Sequence, residues 1–104
     1  MLRILLFLQF IGFVAFGQKG ADYFNEGLTY EKQFKVEAAL EKFELAIKAN
    51  PNDGEAYMHA SRMLSNIGGR LPKSSRSKKQ EYYEKAKLYA DKSIELMPRN
   101  PEAH

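Results

Sequence analysis

Two segments of the chain, EAALEKFELAIKANPND (37–53) and EKAKLYADKSIELMPRN (84–100), share one skeleton. A small residue is followed four positions on by an aromatic or small residue, then three further on by a second small residue. A proline comes five positions after that. Ala39, Phe43, Ala46 and Pro51 fill these places in the first segment. Ala86, Ala90, Ser93 and Pro98 fill them in the second. Steps of three and four return side chains to one face of an α-helix, and proline ends the run. A recurring helix of this kind buries its apolar stripe on a neighbouring copy, so the pattern points to stacked helices.

The rest of the chain extends that pattern. Tyr23, Phe24, Gly27, Leu28 and Tyr30 form one stripe of helical period, and Val36, Ala39, Leu40, Phe43, Ala46 and Ile47 form the next. The break between them is the short QFK at 33–35. Asn50-Pro51 closes the second helix, and Asp53 is placed to cap a third. That third helix carries Tyr57, Ala60, Leu64 and Ile67 and is expected to stop at Gly68-Gly69. A fourth is expected from near Gln80, with Tyr83, Ala86, Ala90, Ile94 and Met97 on its inner face. Asn100-Pro101 reads as the start of another helix. No alternation of polar and apolar residues suggests a strand, so the expected fold class is all-α.

The arrangement resembles the tetratricopeptide repeat, a helix–turn–helix unit of about 34 residues. With Gly20 as position 1, Tyr23 falls at position 4, Gly27 at 8 and Tyr30 at 11. Ala39, Phe43, Ala46 and Pro51 then take 20, 24, 27 and 32, and Glu26 departs from the usual leucine at 7. A second unit from Gly54 places Tyr57, Ala60, Ser61 and Leu64 in register. It then continues only across an insertion of about thirteen residues, expected as a loop over about 68–80. Ala90 stands where that unit would carry an aromatic, with Tyr89 beside it. The resemblance implies a helix-turn-helix solenoid: repeat one over 20–53, repeat two over 54–100, and the start of a third at 101–104. A unit of this kind is marginal in stacks of fewer than about three. The sequence therefore reads as the beginning of a longer array, or as a chain that associates with itself.

Residues 1–17, MLRILLFLQFIGFVAFG, stand apart from this repeat domain, which begins at residue 18. Arg3 precedes an apolar run from Ile4 to Phe16, and Ala15 and Gly17 are small residues ahead of Gln18. That is the layout of a signal peptide cleaved near Gly17-Gln18. A thirteen-residue helix spans about 20 Å, short of the roughly 30 Å of a bilayer core. The expected destination is periplasmic or secreted, with an uncleaved membrane anchor as the rival. The whole chain has a formal charge of +3, and loss of Arg3 leaves +2. This near balance gives no footprint of a nucleic-acid binder. Cysteine is absent, so stability must come from packing or association rather than disulfides.

The resemblance implies a concave groove lined by the first helix of each unit, binding peptides or partner proteins. Its candidate residues are Phe24, Asn25, Leu28 and Lys32 in repeat one and Met58, His59, Arg62 and Asn66 in repeat two. Phe24 and Leu28 occupy the places where the carboxylate clamp of chaperone-binding members wants lysine and asparagine, which argues against that specificity. His59 has no companion ligands at metal-binding spacing and reads as an ordinary exposed histidine. Ser61, Ser65 and Ser93 lack the sharp turn of a nucleophilic serine. No catalytic residue, cofactor or metal is assigned, and the expected activity is non-enzymatic scaffolding between proteins. The alternative is an N-terminal adaptor of a longer enzyme, receptor or membrane-anchored assembly factor. The insertion GGRLPKSSRSKKQ carries Arg70, Lys73, Arg76, Lys78 and Lys79 with no acid. As a loop it would be held extended by self-repulsion, or would touch an anionic surface.

Overall fold

A computed structural model describes residues 18–97. The expected leader at 1–17, the helix stop at Pro98 and the expected third repeat at 101–104 lie outside them. The described residues form four α-helices and no strand: α1 (18–32), α2 (Val36–Ala49), α3 (Gly54–Arg70) and α4 (Arg76–Leu96), with one 3₁₀ turn at Lys73–Ser75. α1 and α2 form one antiparallel hairpin and α3 and α4 a second. The fold is all-α, a tetratricopeptide-like helical repeat.

The core lies where the hairpins meet. Val36, Ala39 and Phe43 from α2 pack with Ala60, Met63 and Ile67 from α3, and Phe24, Leu28, Tyr30, Leu40, Ile47, Tyr82 and Tyr89 close over them. The helix ends follow local chemistry. Asn50 leaves the helix ahead of Pro51, and its side chain accepts a bond from the Asn52 amide at 3.2 Å. Asp53 caps α3 by accepting from the Ala56 amide at 3.2 Å, as its position predicts.

The turn after α1 is less ordinary. The Lys35 amide donates to the Tyr30 carbonyl and the Phe34 amide to the Glu31 carbonyl, both at 3.0 Å. This is the paired closure of a Schellman motif. It requires one residue in the left-handed region, and Phe34 takes that place with φ 60°. Glycine is the usual occupant, because a Cβ there crowds the backbone.

The expected loop at 68–80 is mostly helix. α3 continues through Gly68 and Gly69 to Arg70, and neither glycine has positive φ. Gly68 is buried because the other hairpin arm crosses it: a Cβ there would lie 3.1 Å from Cβ of Tyr82 and from the ring of Tyr83. Its role is close approach rather than termination. Leu71 leaves the helix ahead of Pro72, and α4 begins at Arg76. By the repeat register, four inserted residues lengthen α3, two lengthen the turn and seven lengthen α4. Lys79 Nζ donates to the Leu71 carbonyl at 2.9 Å and ties the turn to the new first turns of α4.

The inner face of α4 is also rotated from the expected one. Ala86 and Ser93 are buried and Tyr82 and Tyr89 pack on the core, while Tyr83 and Ile94 are 44% and 64% exposed. Ser61 Oγ donates to the Ala86 carbonyl at 2.7 Å and draws that part of α4 against α3. Tyr89 fills the role left by Ala90. Its ring meets Tyr57 edge-on at 5.5 Å, and its hydroxyl donates to Glu44 on α2 at 2.7 Å. Lys85 Nζ reaches the same Glu44 oxygen at 2.8 Å.

Two outcomes follow from these contacts. Phe34→Gly relieves the left-handed strain and removes a side chain that packs on little, so it should raise unfolding stability by about 1 kcal/mol. Urea denaturation checks this, with an unchanged slope. Burial, then the hydrogen bond to the Glu44 carboxylate, raises the Tyr89 pKa above the ordinary tyrosine value. The protonated phenol is the form held by the fold, so its contribution is complete below about pH 10 and is lost as pH rises beyond that. In an absorbance titration Tyr89 should be the last of the six tyrosines to ionise, and Tyr89→Phe should remove that late component.

Candidate functional site

The first helices of the two hairpins, α1 and α3, touch along one face through an aromatic and charged cluster. The Phe24 ring lies 5.7 Å from Phe43 and 5.5 Å from His59, and Phe43 lies 5.2 Å from His59. His59 is thus set against two phenyl rings. Its Nδ1 lies 2.9 Å from Glu31 Oε1, and Arg62 Nη2 lies 3.7 Å from the other oxygen of the same carboxylate. The histidine and glutamate side chains are 15% and 23% exposed. This partial burial makes the bond less screened than a surface ion pair.

These contacts divide the candidate groove residues into two groups. Phe24 and Leu28 are half-buried on the core, and His59 is half-buried and bonded rather than an ordinary exposed side chain. They hold α1 to α3. Asn25, Lys32, Met58, Arg62 and Asn66 are exposed, so the outward surface of this face is polar and cationic with one thioether. Glu31 falls at a groove-facing position of the repeat register. It stands one position before Lys32 in the register, and its partner lies 28 residues away, so no local pattern reveals the pair.

Around the edge of this face the same helix turns toward α4. Met58, Ser61 and Arg62 from α3, Ala90, Ser93 and Ile94 from α4, and Met97 just after it border an open, largely apolar cavity of about 390 Å³. The small Ala90 sits in this lining, at the register position where an aromatic is usual.

The five cations of the insertion do not form a flexible loop. Arg70 closes α3, with Nη2 at 2.8 Å from Glu37 Oε1 near the start of α2. A backbone hydrogen bond, and then the one from Arg70, lowers the Glu37 pKa below the ordinary carboxylate value. Lys73 sits in the 3₁₀ turn, and Arg76, Lys78 and Lys79 sit at the start of α4.

Residues 20–53 match the family model for the tetratricopeptide repeat. This is the span of α1, α2 and the turns that bound α2, and it agrees with the register set by Gly20 and Pro51. No curated protein and no solved structure matches the chain. Repeats of this family generally mediate protein–protein interaction and typically serve as non-enzymatic scaffolds.

The Glu31–His59 pair should couple energetically across the repeat boundary. In a double-mutant cycle of Glu31→Gln and His59→Gln, unfolding free energies should depart from additivity by about 1 kcal/mol. Additive single effects would reduce the pair to a chance contact.

Proposed function

We propose that this chain is an exported, non-enzymatic scaffold that binds an extended segment of a partner protein across the α1–α3 face. The observation that carries the reading is the division of labour on that face. Phe24, Leu28 and His59 fix the two helices, and they leave Asn25, Lys32, Met58, Arg62 and Asn66 outward. Amide side chains can both donate to and accept from a peptide backbone, and the two cations suit a partner with carboxylates. A fixed face also spares the ordering cost of binding. The leader layout of residues 1–17 supports export to the periplasm or beyond, with cleavage near Gly17-Gln18.

A specific feature favours an array longer than two units, as in an adaptor module. The apolar cavity bordered by Met58, Ala90, Ile94 and Met97 lies where a following helix would stack, and Pro101 sits at the register position of the next unit.

Photo-crosslinking in the producing cell tests the proposal. A crosslinking side chain at Asn66 should capture a protein partner, and one at the exposed Lys48 should not. Equal capture at both sites would remove the α1–α3 face from consideration. Mass spectrometry of this chain from the crosslinked product should find Gln18 at its N-terminus, and an intact Met1 would refute cleavage.

A further inference from the structure

Phe34 is an expensive residue for its place. Its side chain is 88% exposed, and its φ of 60° lies where glycine is favoured. Folding therefore gains little from the ring while the backbone bears the strain. Such a combination is a reason to look for a use outside the fold.

Its surroundings supply one. Lys32 and Lys35, both exposed, flank it in the turn between α1 and α2. The corresponding turn of the second hairpin lies at the same end of the stack, because Arg70 at the end of α3 bonds Glu37 in the first turn of α2. At that second turn Lys73, Arg76 and Lys79 border an open cavity of about 410 Å³. Among the described residues, Lys73, Arg76 and Lys78 have no ion-pair partner. Arg76, Lys78 and Lys79 also stand at the start of α4, where the helix dipole favours acids and none is present. Like Phe34, they are placed against the preference of the local structure.

We propose that the turn end of the helical stack is a docking surface for an anionic lipid leaflet. The cations of both turns meet the headgroup phosphates, and the Phe34 ring enters the interface between them. Cationic clusters of this size are drawn to negatively charged leaflets, and stable attachment takes a second, apolar signal. No helix among the described residues is long and apolar enough to cross a membrane, so the contact is from the surface. An acidic protein partner is the less fitting occupant. Protein hot spots are ringed by contacts that exclude water, whereas this ring is flanked by exposed lysines, which suits a headgroup region. This inference concerns the turn end of the stack, which shares only Lys32 with the α1–α3 face, and does not rest on that proposal.

The chain contains no tryptophan, which makes a local reporter available in the full-length protein. In Phe34→Trp the indole emission should shift to the blue on vesicles of phosphatidylcholine with phosphatidylglycerol, and not on phosphatidylcholine alone. Adding Arg76→Gln and Lys78→Gln should raise the anionic lipid needed for half the shift by about thirtyfold. Separately, Phe34→Gly should be more resistant to unfolding yet sediment less with the anionic vesicles, which no loss of fold can produce. An indole that stays water-exposed while the protein sediments would assign binding to another part of the chain and overturn the proposal. So would an equal shift on neutral vesicles, an equal shift with soluble polyphosphate, or indifference to the two glutamines.

Discussion

Everything in the first hairpin depends on how closely α1 approaches α2 at Gly27. A Cβ at that position would lie 2.5 Å from Cε1 of Phe43, a distance no relaxed packing allows. Phe43 is fully buried, so the ring has nowhere to yield. The hydrogen atom of Gly27 therefore sets the gap between two helices, and the ring fills the space that the gap leaves. From Phe43 the packing passes outward to His59, Ala60 and Met63 on α3 and so organises the second hairpin. The second unit meets the same requirement differently. Ser61 occupies the equivalent position, and its hydroxyl bonds the Ala86 carbonyl. A small polar side chain is accommodated there because it satisfies itself on the facing backbone.

The helices and the repeat were legible because their signals are local. Proline ends α2, aspartate starts α3, and the steps of three and four mark the buried stripe of α2. The errors arose where a residue's meaning depends on what crosses it. Gly68-Gly69 read as a stop, yet Gly68 is kept small by Tyr82 and Tyr83 from the other arm of the hairpin. Of two adjacent tyrosines, helical spacing with Ala86 pointed to Tyr83 for the inner face of α4, but Ala86 fits either phase and it is Tyr82 that packs on the core. For the α1–α3 face, the register does not separate packed residues from exposed ones. Phe24, Leu28 and His59 read as groove residues in sequence, and in the fold they lie half-buried between the helices.

The inserted segment shows how composition can mislead about shape. Glycine, proline, serine and like charges suggest an extended loop. Here Pro72 is confined to a short turn, Ser75 begins the next helix, and Lys79 bonds back across the turn. The same charges become fixed in direction, so their fields add at one end of the molecule instead of averaging over a moving chain.

Two of the ties that cross between the hairpins lie on different pairs of helices. Glu31 meets His59 between α1 and α3, and Glu44 meets Tyr89 and Lys85 between α2 and α4. A hinge about the turn joining the hairpins would have to stretch one tie or the other, whichever way it opened. The assembly is braced like a beam with members on both flanges, resistant to flexing in either sense. Opening it in either sense strains a glutamate contact first.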